Sequence, residues 1–234
     1  STHRRGLFSV PPRRASAHAT RESLLDAAEQ LFQARGVSRT SLNDIAVAAG
    51  ATRGAIYWHF KDKADLVNAM MERVSLPLEQ MLAHEQLVQA QDPVAELHAA
   101  MLEVLRLIAT DAQTRRVLQI ATHKVEYVDE LGAVQSRHLR VHAECLQRNR
   151  QTLAKAFALR AVAPPVPLDT AVLGLQVLLE GLVNQWLLDP AGFDLVQAGS
   201  ATLDVYLAGL GLPRKPTPAT APAPAMPALK DARA

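Results

Sequence analysis

The chain has 234 residues, of which 49% are hydrophobic, 21% charged and 4% aromatic, with a formal net charge of +2. That is long and apolar enough for one or two domains with a sizeable core. The single cysteine, Cys145, excludes an intramolecular disulfide and a cysteine-rich zinc module, and suits the reducing cytoplasm.

The first residues, 1–18, combine Pro11-Pro12 with Arg4, Arg5, Arg13 and Arg14 and show no periodicity. They read as a disordered basic arm, with no apolar stretch of a secretion signal. Residues 1–63 hold ten Lys/Arg against five Asp/Glu, whereas the rest holds fifteen against eighteen. Positive charge gathered at one end suits a polyanionic partner, and an arginine-rich start with no partner has the same composition.

From Thr20 onward apolar residues recur at three- and four-residue spacing, and no stretch alternates as a strand would. The spacing predicts an all-α chain of about nine helices. The first carries Leu24, Leu25, Ala28, Leu31 and Phe32 and stops at Gly36; the second is capped at Thr40-Ser41 and stops at Gly50. The third covers Arg53 to His59. Asp62 caps the fourth, which runs towards Pro77. Asp92-Pro93 opens a helix that ends near Thr110, followed by helices over about 113–127 and 129–160. After the proline-rich break at 163–167 come the eighth helix, about Asp169 to Leu188, and the ninth, about Leu195 to Gly209. Residues 213–234 hold six prolines and seven alanines and read as a disordered tail. The longest apolar run is broken by Gln176, Glu180, Asn184 and Gln185, which argues against a membrane span.

The two short helices joined by Ala49-Gly50-Ala51 form a helix-turn-helix candidate. At 100° per residue, Ala55 and Ile56 face one way while Arg53, Gly54, Tyr57 and Trp58 share the other. Tyr57 and Trp58 are then either exposed recognition aromatics or core aromatics packed between helices. Gly54 costs about 1 kcal/mol in a helix interior and lets the backbone approach a groove. Arg53 can bond a guanine bidentately, and Tyr57 can reach a phosphate or a thymine methyl. Lys63 at a helix start gains nothing from the dipole there and is expected to clamp phosphate.

The stretch from Gly36 through Asn43-Asp44-Ile45-Ala46, with Gly50 and then Thr52-Arg53-Gly54-Ala55-Ile56-Tyr57-Trp58-His59-Phe60-Lys61-Asp62-Lys63, resembles the DNA-binding domain of TetR-family transcriptional repressors. Looser likeness through Thr114-Arg115-Arg116, His123 to Tyr127 and Trp186 to Pro190 is to the branch that represses multidrug efflux-pump operons. The resemblance implies a homodimer on a palindromic double-stranded operator, released by a hydrophobic small molecule. It implies that Thr40 and Thr52 bond phosphates, that Arg53 and Gly54 meet base edges, that Tyr57, Trp58 and His59 line the DNA, and that Lys63 clamps phosphate. His59 lies off the Arg53 face, which suits a phosphate contact or a structural hydrogen bond. The domains so implied are a helix-turn-helix unit over 19–66 and a ligand-binding and dimerisation unit over 67–212.

The eighth helix is apolar nearly all round, so it needs cover on every side. Packing with the ninth helix and the same pair of a second subunit supplies it, which is also the family's dimer mode, and Gly174, Gly181 and Gly209 permit close approach. Gln176 and Glu180 lie one turn apart; Glu180 reaches solvent, pairs with an arginine such as Arg116, or meets a ligand. By resemblance Val74, Leu97, Met101, Leu118, Thr122 and Leu179 line the same pocket, with Met70 and Val74 linking it to helix four. His138 and His142 at i and i+4 have a metal-ligand spacing without cysteine or a clear carboxylate, so no metal and no cofactor is expected. Neither a phosphate-cradling glycine loop nor a nucleophile elbow is present, which argues against the alternative of a helical small-molecule enzyme. A repressor that senses a metabolite and controls a metabolic operon is the other alternative.

Overall fold

Six aspartate, serine and threonine caps divide the chain into helices: Ser41, Thr52, Asp62, Asp92, Asp111 and Asp194 each accept a hydrogen bond from a backbone N–H of the turn they open. The computed structural model describes residues 13–81, 90–125 and 129–214, with side chains over 16–75, 90–125 and 130–214. Among the described residues there are nine α-helices and no strand. They are α1 (Arg13–Arg35), α2 (Leu42–Ala48), α3 (Arg53–His59), α4 (Lys63–Met81), α5 (Pro93–Thr110), α6 (Ala112–His123), α7 (Gly132–Arg160), α8 (Leu168–Leu188) and α9 (Leu195–Gly209). A single 3-10 turn, Asp129–Leu131, precedes α7. Arg4 and Arg5 of the basic arm and most of the Pro/Ala-rich tail lie outside the described residues, as do Glu126 and Tyr127.

Several boundaries differ from expectation. Helix α1 begins at Arg13 rather than near Thr20, because the alanines and arginines of residues 13–19 are good helix formers, so residues 13–18 are helical and not a disordered arm. Helix α4 continues through Pro77 to Met81; proline forfeits one backbone bond but its fixed φ is itself helical. Helix α6 stops at His123, not near Tyr127, with the Lys124 N–H closing its last turn on Ile120. Gly36 and Gly50 do end α1 and the α2 turn, at φ +84° and +65°, a region closed to most side chains.

The first core does not stop at residue 66. Leu24, Leu25, Phe32, Ile45 and Ile56 pack with Met70 and Val74 of α4, Val117 and Ile120 of α6, and Leu131 and Val134 around the start of α7. A buried ionic cluster reinforces the junction. Glu29, 2% exposed, accepts from Arg73 Nη1 at 2.7 Å and from Gln113 Nε2 at 3.0 Å, and Arg116 lies 3.7 Å away. Arg73 also reaches Glu22 and Asp26. Removing one partner of such a cluster leaves a buried charge uncompensated, so α1, α4 and α6 are tied together.

A second core joins α5, α7, α8 and α9, and a third gathers Leu105, Ile108, Trp186, Leu187 and Leu195. Close approach is made where a Cβ would not fit: at Gly174 it would overlap the Tyr206 hydroxyl, which donates to the Ala171 carbonyl at 2.7 Å, and at Gly199 it would overlap Leu105 Cδ1. At Gly181 and Gly209, expected to serve the same purpose, an added Cβ would meet nothing within 4 Å beyond the local helix backbone. By length and composition α8 is apolar enough to cross a membrane, contrary to the reading of its polar interruptions. Here its Ala171, Val172, Leu175, Trp186 and Leu187 are buried in the bundle.

Candidate nucleic-acid interface and ligand cavity

Ile56 is the buried anchor of α3, and a residue fully enclosed on one side of a seven-residue helix fixes what the other side shows. Tyr57 is 51% exposed and Trp58 73%, so neither is a core aromatic. Arg53 lies over the Tyr57 ring at 5.8 Å, and Trp58 meets His59 edge-on at 4.6 Å. Burial, aided by Arg21, lowers the pKa of His59 and keeps its ring neutral near pH 7. A neutral imidazole can still donate one hydrogen bond to a phosphate. Gly54 is open, with only Thr52 Oγ1 within reach of an added Cβ, so its backbone face is free for close approach. Thr52 is exposed and caps α3 by accepting from Ala55 N at 3.1 Å, which leaves its hydroxyl proton available.

Away from this face, a cavity of about 480 Å³ opens among α4, α5, α6, α7 and α8. Its walls are largely apolar, with Met71, Met101, Leu105, Ile108, Leu118 and Leu179 among them. One side is polar. Asn149 Nδ2 donates to Gln176 Oε1 at 3.1 Å, Gln176 Nε2 donates to Glu180 Oε1 at 2.6 Å, and His142 Nε2 lies 3.7 Å from the same oxygen. Shape and lining suit a bulky apolar molecule with a few polar groups.

Residues 24–70 match the bacterial regulatory proteins of the tetR family, and residues 92–211 match the C-terminal region of MAATS-type transcriptional repressors. The chain belongs to the TetR family. It is therefore a transcriptional regulator. A TetR-family relative, the HTH-type transcriptional regulator AcrR of Shigella flexneri, is 34% identical over 195 residues, 82% of this chain and 91% of that one. Among solved structures, NalD, the secondary repressor of the MexAB-OprM multidrug efflux pump in Pseudomonas aeruginosa, is 37% identical at a TM-score of 0.77, covering 84% and 98% of the two chains. SmeT of Stenotrophomonas maltophilia, in complex with triclosan, is 31% identical at a TM-score of 0.72, covering 86% and 99%.

Against the TetR-family expectation the structure gathers Thr52, Arg53, Gly54, Tyr57 and Trp58 on one exposed face, with His59 half-buried at its edge. Two residues are placed otherwise. Thr40 is 1% exposed and its hydroxyl donates to Gly36 O at 2.9 Å, so in the DNA-free chain it holds the loop before α2; Ser41 is the cap. Lys63 is drawn inward to Glu130, and its side chain is 10% exposed. In the cavity Met101, Leu118, Thr122, Gln176, Leu179 and Glu180 stand where expected. Val74 and Leu97 do not: Val74 packs in the first core and Leu97 in the second. From α4 the cavity receives Met71 instead of Met70, one residue on and so about 100° around the helix. Arg116 is committed to Glu29, and it is His142, with Gln176, that stands beside Glu180. His138 lines the cavity wall, and no cluster of metal-ligating side chains occurs among the described residues. Sequence reasoning missed Glu130 and Asn149, which carry no spacing signal because their partners, Lys63 and Gln176, come from distant helices.

Proposed function

We propose that the chain is a cytoplasmic, homodimeric repressor of a multidrug efflux-pump operon, released from a palindromic operator by bulky, largely apolar compounds. The observation that carries this reading is the double reach of α4. Its first residue, Lys63, stands beside the recognition face with Arg53 and Tyr57, and Met71, two turns on, lines the cavity. A molecule that fits only one position of α4 lowers operator affinity by its differential affinity for the two states. Residues 19–66 serve as the recognition unit and 67–212 as the sensing and dimerising unit.

The dimer reading rests on α8 and α9. Leu173, Val177 and Leu188 of α8 and Val205 of α9 are exposed, and Gly181 and Gly209 lie open on the same two helices. An exposed apolar face of that kind is covered by its symmetry mate in a two-fold dimer. The efflux assignment is supported by the relatives, since NalD and SmeT are described as repressors of multidrug efflux pumps.

DNase footprinting on the DNA upstream of the chain's own gene, with and without a panel of lipophilic drugs, tests the proposal. A two-fold symmetric footprint that fades with some compounds is the expected result. A footprint indifferent to the whole panel would remove the sensing role and leave a plain DNA binder.

A further inference from the structure

A second depression lies beside the recognition face, between the C-terminal ends of α1 and α6. Arg35, Arg39, His123 and Lys124 line it, all four exposed, and no acidic side chain does. Val37 N donates to the Lys124 carbonyl at 3.3 Å and fastens its two halves together, and within the α1 half Arg39 Nε donates to the Arg35 carbonyl at 3.0 Å. Arg35, Arg39 and Lys124 form no ion pair among the described residues.

Basic residues at helix C-termini have an ordinary use, the offsetting of the helix dipole. Each helix end carries roughly half a negative charge, so two converging ends account for about one of the three permanent cations. About two positive charges are left over. The surface is also continuous with the recognition face, because Ser38 and Arg39 line both this depression and the one that holds Arg53 and Tyr57. The recognition-side depression is mixed in sign, with Asp44, Asp62 and Glu130 among its cations, whereas this one is purely basic.

We propose that the depression between α1 and α6 is a further phosphate-binding surface, which takes the DNA backbone just outside the half-site read by α3. This rests on the DNA-binding reading above. It adds to it that residues of the sensing unit, His123 and Lys124, touch the operator flank.

The experiment measures affinity by fluorescence anisotropy against salt, using the footprinted operator as two duplexes. One ends at the outer edges of the half-sites, and the other carries one more helical turn at each end. Wild-type protein is compared with Arg35→Gln/Lys124→Gln and with each single variant. Each lost phosphate contact lowers the slope of log K against log salt by about 0.9. The double variant is therefore expected to lose up to about 1.8 of slope on the long duplex and nothing on the short one. Equal loss on both duplexes, or no loss on either, overturns the proposal. If wild-type protein binds the short duplex specifically and gains nothing from the flanks, this surface fails while the repressor reading stands; if wild-type binds neither, both fail.

Discussion

Lys63 Nζ lies 3.2 Å from Glu130 Oε2 and 3.4 Å from the carbonyl of Val37. The pair joins the first turn of α4 to the 3-10 turn that leads into α7, and it turns the lysine away from solvent. A phosphate arriving at the recognition face competes with Glu130 for the same ammonium. An ion pair with one exposed partner is worth about 0.2–1 kcal/mol, so Glu130→Gln should raise operator affinity by up to about fivefold. The salt slope should steepen by about 0.9 as Lys63 takes up a phosphate. Weaker binding by Glu130→Gln would instead show that the pair holds α4 in its DNA-competent position.

Arg53 stands over Tyr57 on the exposed face of α3, the face proposed to read the operator. Arg53→Ala should relax base preference at one or two operator positions by about 1–3 kcal/mol, whereas Lys63→Ala should weaken all sequences alike or leave them unchanged. Competition binding against a set of single-base operator variants checks this. An unaltered preference in Arg53→Ala would move base reading elsewhere on the face.

The glycines separate stability from recognition. At Gly199 a methyl would overlap Leu105, so Gly199→Ala should cost about 1–3 kcal/mol of unfolding free energy. At Gly54 there is open space, and Gly54→Ala should stabilise the free protein by up to about 1 kcal/mol while weakening operator binding. Urea unfolding alongside anisotropy titration distinguishes the two. Should Gly54→Ala bind normally, the backbone of α3 does not approach the DNA closely.

The face of α3 was readable because one turn of an amphipathic helix leaves few choices. With Ile56 inside, 100° steps put Arg53, Tyr57 and Trp58 outside. The exchange of Met70 for Met71 was not readable, since both are apolar and a one-residue shift turns a side chain by about 100° without breaking the pattern. The orientations of Thr40 and Lys63 were unreadable for a different reason. Their partners, the Gly36 carbonyl and Glu130, are fixed by a loop and by a turn 67 positions away, and no local periodicity encodes either. The Glu29–Arg73 cluster, bridging 44 positions, was equally silent.

His98 on α5 is 3% exposed, with Asp204 3.3 Å and Ser200 3.4 Å from its ring nitrogen. Burial and then Arg214 lower its pKa, and Asp204 only partly offsets them. The unfolded chain therefore binds a proton that the folded chain resists. Stability should be complete above the ordinary histidine pKa of about 6.5 and should fall as pH drops below it. His98→Gln should flatten the dependence of the thermal midpoint on pH below about 6.5. An unchanged pH profile in His98→Gln would assign the acid sensitivity to another group.

Glu180 and Thr122 line the cavity, and neither lines the depression that holds Arg53 and Tyr57 or the basic one beside it. Glu180→Leu and Thr122→Leu should alter which compounds release operator DNA while ligand-free affinity stays within about twofold, because neither touches the DNA-reading helix. Leu97→Ala, which lies in the second core and not in the cavity, should cost about 2–5 kcal/mol of stability without changing the pattern of active compounds. Displacement assays over one compound panel compare the three. A wild-type pattern in both cavity variants would leave this cavity without a sensing role.

The shared core of α1, α4, α6 and the start of α7 sets a rule for anyone recombining regulators of this kind. A graft cut between residues 66 and 67 would carry Phe32 and Ile45 away from Val117, Ile120 and Leu131, and would leave Glu29 beside a foreign helix lacking Gln113 and Arg116. The transplantable unit is then larger than the DNA-reading segment. It includes the floor supplied by α6, so a hybrid retains its operator and its inducibility only when both sides of that floor come from one parent.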